Sequence, residues 1–215
     1  LREMAAAATP AAQEMLDELG NAGLVGLGYT FAGMRHVLMR DGTVAGPEDL
    51  RNKKVRIVPF PAMQVWWNKV GAVPTPVNLT EVYSSLQSGL WDGIDIDLDA
   101  LVGQNFQEVA KGLTVTSHMA FPAVLVVSEM TWRGLSEGEQ EALRAVADEA
   151  LAWGSARQVE AEAANLAALE GKVSIARLEN GDAVFAAANQ TVEASFAGNA
   201  IVTRFQEQVR AGRGE

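Results

Sequence analysis

Between Glu139 and Gly171 the chain contains no proline and a single glycine, Gly154, so one helix can run through more than about 30 residues. Ser136 followed by Glu139 is a capping box that fixes where such a helix starts. At about 1.5 Å per residue it would be about 50 Å long, too long for one small domain to surround. It has to run along a whole molecule or bridge two lobes, and Gly154 is where it could bend.

Short strands are expected on both sides of that helix. Apolar, β-branched stretches at 24–29, 54–58, 93–96, 113–118, 123–127 and 173–176 read as strands, with 71–76 as a further extended segment and 30–34 as a turn or linker. Helices are expected over 1–19, broken at Thr9-Pro10, and over 61–70, 102–111 and 182–210. A further helix, capped by Asn78 or Thr80 and ended by Gly89, places Val82, Tyr83, Leu86 and Leu90 on one side. Strand and helix alternating at this spacing predict an α/β fold with a largely covered sheet. The expected division is one lobe from 1–31 and 120–153 and a second from 32–119 and 154–215.

Composition removes whole classes of function. With 17 basic and 27 acidic side chains among 215 residues the formal charge is −10, the wrong balance for a nucleic-acid binder. No cysteine is present, which excludes disulfides, thiol nucleophiles and thiolate metal sites, and two histidines, His36 and His118, are too few for a histidine-rich metal centre. No apolar run reaches the roughly 20 residues of a membrane span. Phosphate loops, dinucleotide fingerprints, zinc-protease motifs, calcium loops and serine elbows are all missing from the sequence.

Four groups of residues remain as candidates. Asp92, Asp95, Asp97 and Asp99 alternate with Ile94, Ile96 and Leu98 and form either a hard-cation site or a solvated cluster at a sheet end. Trp66 and Trp67 are adjacent on a helix, about 100° apart, so both cannot face one core; one of them either lines a ligand site or covers an apolar patch. His118 reads as a hydrogen-bonded residue at a crossover. Arg56 lies inside the apolar strand Val55-Arg56-Ile57, where a guanidinium must reach an edge, hold an internal carboxylate or receive an anionic ligand, and Arg35 is a weaker version of the same case.

Four segments in order resemble a known family: Gly33-Met34-Arg35-His36, then 47–56, then Gly71-Ala72-Val73-Pro74-Thr75-Pro76, then 81–93 with its EVYxxLQxGxxDG pattern. Together they look like the extracytoplasmic solute-binding proteins of TRAP (tripartite ATP-independent periplasmic) transporters, DctP type. The resemblance continues through 113–118 and 132–136 and covers essentially the whole chain. It implies a two-lobed, periplasmic-binding-protein-like α/β fold with a long helix bridging the lobes. It also implies a periplasmic protein, not an enzyme, that binds an organic acid, uses no cofactor or metal, and passes its solute to TRAP permease membrane subunits. A member of this family would carry roughly 100 residues before Leu1.

By the same resemblance Arg56 matches the family's carboxylate-binding arginine, Arg35 a second, assisting arginine, and Leu79 the place of an aromatic residue that packs on ligand. Ile96, beside Asp95, stands where members often carry asparagine, which favours a smaller or less polar acid. Trp67 and Phe121 are candidate walls. The competing expectation is an enzyme in which Arg56 anchors a carboxylate and an aspartate of the 92–99 cluster acts as base.

Overall fold

The computed structural model describes residues 2–213. Leu1, where the first expected helix begins, lies outside them. The chain forms two compact units, one of Leu1–Ala32, Phe121–Glu160 and Phe196–Glu215, the other of Gly33–Ala120 and Ala161–Ser195. Compared with the expected division, the change of unit within the long helix comes at 160 rather than 153, and the tail from 196 groups with the first unit.

In chain order, α1 (Arg2–Ala7) and α2 (Pro10–Asp17) flank the Thr9-Pro10 break; the Thr9 hydroxyl accepts from the Ala12 amide at 3.3 Å, and proline occupies the first turn. β1 (Leu24–Met39) is one strand of 16 residues that continues through the expected linker at 30–34. Gly28 (φ 154°) and Gly33 (φ 129°) adopt backbone angles suited to glycine, so they re-aim the strand without ending it. After α3 (Pro47–Leu50), a single helical turn, β2 (Lys54–Ile57), α4 (Pro61–Lys69), β3 (Val73–Pro76), α5 (Val82–Ser88) and β4 (Gly93–Ile96) follow close to their expected places. α6 (Leu98–Gly103) starts earlier than expected, because the Asp97 carboxylate accepts from the Ala100 amide at 2.8 Å and caps it.

β5 (Gly112–Ser128) joins the two strands expected at 113–118 and 123–127 into one of 17 residues. After α7 (Glu129–Arg133), α8 (Glu137–Leu169) runs for 33 residues. Its start is a reciprocal capping box: the Ser136 amide donates to Glu139 Oε2 at 2.8 Å, and the Glu139 amide donates to the Ser136 hydroxyl at 3.4 Å. β6 (Ser174–Arg177), α9 (Gly181–Val184), α10 (Ala186–Ser195) and α11 (Ala200–Arg213) complete the chain.

In the first unit, Tyr29 on β1 donates to the Ala12 carbonyl at 2.9 Å, and the Ser155 hydroxyl of α8 lies 3.0 Å from that of Thr30. α11 is tied to α2 by Arg204 with Glu14 at 2.5 Å and by the Ala11 amide donating to Gln208 at 2.9 Å. In the second unit the strands belong to a six-stranded sheet of order β3-β2-β4-β1-β5-β6. β2 is parallel to β3 and β4, β5 is parallel to β6, and β1 runs antiparallel to β4.

Alternation along the strands sends side chains to two cores, one on each face. Val37, Val55, Ile57, Met63, Trp66, Trp67 and Phe185 fill one, under α4 and α10. Leu38, Ile94, Ile96, Val82, Leu86, Leu101 and Leu169 fill the other, under α5, α6 and the end of α8. Both faces are therefore covered, which is why β2 and β4 read as apolar runs.

Candidate functional site

Parallel β2, β3 and β4 end at one edge of the second unit's sheet, the edge at which α/β sheets present ligand-binding groups. Arg56 is the third residue of β2, Val77 follows β3, and Asp97 follows β4. β1 runs the other way with His36 opposite Ile96 and Val37 opposite Asp95, so the register brings Arg35 beside Asp97.

Arg35 and Asp95 form the centre of a buried network, at 1% and 0% exposure. Arg35 Nε donates to Asp95 Oδ1 at 2.5 Å, Nη1 to Asp97 Oδ2 at 2.8 Å, and Nη2 to the Asp95 carbonyl at 2.6 Å. Asp95 Oδ2 accepts from Trp67 Nε1 at 2.7 Å and lies 3.0 Å from His118 Nε2. Burial alone would raise the Asp95 pKa; the charge of Arg35 and the contacts with His118 and Trp67 outweigh it and hold the carboxyl at about 2. His118 stacks on Trp66 with ring centroids 4.4 Å apart, and its Nδ1 lies 2.7 Å from the Thr116 hydroxyl. Neighbouring His36 accepts the Ser117 amide on Nδ1 at 3.2 Å, and burial, followed by the nearby His118, lowers its pKa to about 4.

Arg56 is as buried as this network, at 2% exposure, and differently partnered. Nε and Nη2 both donate to the Val77 carbonyl, at 2.9 and 2.7 Å, while Nη1 is buried with no hydrogen-bond partner. No carboxylate of the described residues pairs with it, so the internal ion pair left open by the sequence goes to Arg35 instead. Burial first, then the like charge of Arg35, lowers the Arg56 pKa to about 10, so the group remains a cation at neutral pH. Its register partner is Ile94, which turns the side chain toward the face of Ile94 and Ile96, with Val77 and Leu79 packed on the same core. A buried cation held by one carbonyl, with an N–H to spare, is chemically suited to a carboxylate oxygen.

The structure thus brings Arg35, Asp95 and Trp67 into direct contact and places Ile96 and Leu79 together on the Arg56 side of the sheet. Phe121 is the first residue of the first unit's second segment. Three expectations change. Asp95 is not part of a solvated cluster, because β4 is an interior strand with both faces covered; among the described residues no group of three or more side chains could hold a metal ion. Both Trp66 and Trp67 are buried, at 1% and 0%, since α4 is sandwiched: Trp66 Nε1 donates to Asn189 of α10 at 2.8 Å and Trp67 points to Asp95. The aspartate-base reading also fails at Asp95 and Asp97, whose four carboxylate oxygens are all engaged by Arg35, Trp67, His118 and the α6 cap. Sequence reasoning missed Val77, Thr116 and the depth of the His118 contacts; no local motif marks them.

Residues 3–199 match the DctP family, described as bacterial extracellular solute-binding protein, family 7. A solute-binding protein of Verminephrobacter eiseniae is 30% identical over 188 residues, covering 87% of this chain and 56% of its own length. The C4-dicarboxylate-binding periplasmic protein DctP of Shewanella loihica is 30% identical over 145 residues, 67% of this chain and 43% of its own. The chain spans about half the length of the curated relatives it matches. Among solved structures, a TRAP periplasmic solute-binding protein from Bradyrhizobium sp. BTAi1 in complex with α/β-D-galacturonate superposes with a TM-score of 0.90 at 27% identity, over 98% of this chain and 70% of that one. With its family match, its two α/β units and the long α8 shared between them, the chain belongs to the DctP family of extracytoplasmic solute-binding proteins of TRAP transporters.

Proposed function

We propose that the protein binds an organic acid outside the cytoplasm through Arg56 and delivers it to the membrane subunits of a TRAP permease. The observation that carries this reading is the Arg56 guanidinium, buried at the ligand-presenting edge of the sheet, with Nη1 unpartnered and no carboxylate of the described residues paired with it. The solutes named for the relatives, a C4-dicarboxylate and a uronate, share the carboxylate that such a fork recognises. Ile96 and Leu79 supply an apolar wall beside the anchor. Arg35, Asp95 and Trp67 serve as the frame that fixes the edge. The ligand is bound and released unchanged.

Thermal-shift screening of uronates, aldonates and C4 acids identifies a ligand, since binding stabilises the folded state by RT ln(1 + [L]/Kd). Titration calorimetry of Arg56→Lys with that acid should show a loss of affinity of roughly 30-fold or more, about 2 kcal/mol, because an ammonium cannot reproduce the fork. Unchanged affinity in a variant with a normal melt would refute the assignment.

A further inference from the structure

Asp95 and Asp97 determine what the second unit has left to offer an anion. Two buried arginines, Arg35 and Arg56, and two buried aspartates lie close enough near the end of β4 for their charges to act on one another. The pairing is unequal. Arg35 is held by both aspartates, at 2.5 and 2.8 Å, whereas Arg56 meets only a carbonyl. Arg56 and Arg35 also leave the sheet on opposite faces: Arg56 registers with Ile94, and Arg35 lies on the side of Val37 and Asp95. The core on the Arg56 face includes Ile94, Ile96, Val77 and Leu79, which offer no charge to a second carboxylate, while the charges of Arg35, Asp95 and Asp97 still reach Arg56.

We propose that Asp95 and Asp97, by neutralising Arg35, leave Arg56 as the single buried cation of the second unit open to a carboxylate and so select solutes with one carboxylate over solutes with two. This inference rests on the reading of Arg56 as the anchor. One carboxylate satisfies Nη1 and balances the Arg56 charge. Within the second unit, a second carboxylate on the same small molecule meets apolar side chains or two aspartates of like charge. The proposal also assigns Asp97 a double duty: Oδ1 caps α6 through the Ala100 amide, and Oδ2 holds Arg35. Asparagine caps a helix about as well as aspartate, so Asp97→Asn removes the charge and keeps the cap.

The test compares matched probes on the wild-type protein by calorimetry: succinamate against succinate, and glutaramate against glutarate. These differ in charge and little in shape. The half-amides should bind roughly tenfold or more tightly than the diacids, the consequence of one unmatched charge near a protein surface. In Asp97→Asn the preference should move toward the diacid by about tenfold, because Arg35 regains part of its charge. A diacid that binds wild type as tightly as its half-amide overturns the proposal, as does an unchanged preference in a normally melting Asp97→Asn; should that variant fail to fold, the wild-type ratio decides. Arg56→Lys separates the two readings. Loss of both probes together with a wild-type diacid preference sinks the selectivity and keeps the anchor. Half-amide binding untouched by Arg56→Lys, or no binding by any probe, sinks both.

Discussion

Replacing Arg35 by leucine tests whether the Arg35–Asp95 pair is what holds the second unit's sheet edge together. The substitution leaves Asp95 fully buried with Trp67 and His118 as its remaining side-chain partners, and Asp97 with only its cap. Removing one partner of a buried pair costs about 3–5 kcal/mol, because the other charge is stranded. The lowered pKa of Asp95 points the same way. A pKa of about 2 against an ordinary 3.8 corresponds to about 2 kcal/mol in favour of the ionised form, net of burial, and Arg35 is the largest contributor in that direction. Without it, burial drives the Asp95 pKa above its unfolded value. The loss should therefore be greatest at pH 7 and should shrink as pH falls toward the unfolded pKa, where the folded protein takes up a proton. Urea denaturation at pH 7 and pH 5 reads both effects. In a double-mutant cycle with Asp95→Asn, the coupling should be about 2 kcal/mol or more. A cost below about 1 kcal/mol that does not vary with pH would refute the reasoning.

His36 gives a second pH effect of defined sign. Its folded pKa of about 4 lies below the ordinary 6.5, so the unfolded chain binds more protons between those values, and about 3 kcal/mol of stability should be lost as pH falls from 6.5 to 4. Urea midpoints across that window measure it, and His36→Gln should flatten the slope; an equal slope in the variant would assign it elsewhere. At the start of α8, Ser136→Ala removes the hydroxyl that accepts the Glu139 amide and donates to its carboxylate at 2.7 Å, and should cost about 1 kcal/mol in urea denaturation, with Ser136→Asp recovering most of it.

Local chemistry made much of the fold legible. The proline-free run from Glu139, the Ser136 box, the Thr9-Pro10 break and the left-handed cap at Gly89 each act within a few residues, so the sequence displays them directly. β1 and β5 run on past the ends that local chemistry predicts, and for the same reason. Gly33, within the linker expected at 30–34, and Pro122 punctuate a local reading, yet a strand supported along its length can pass through a residue with unusual φ or no amide donor. The helix expected at 102–111 fails through a positive φ at Asn105, which breaks it after α6 and leaves only a short 3-10 turn at Phe106–Glu108.

The site was legible as a list of residues and not as a circuit. Val55-Arg56-Ile57 announces a buried arginine, and 92–99 announces carboxylates, but nothing within either segment says which arginine the carboxylates serve. That choice is made by the antiparallel entry of β1 beside β4, which sets Arg35 against Asp95 and Asp97 across about 60 residues of chain. Because the pleat sends Arg56 to the other face with Ile94, the aspartates neutralise one guanidinium and spare the other. A shift of β1 by one residue would turn Arg35 away from the aspartates and leave Asp95 buried with no guanidinium on its face. The register of one strand pair is therefore both the condition for a stable sheet edge and the reason one buried guanidinium is left without a carboxylate partner among the described residues.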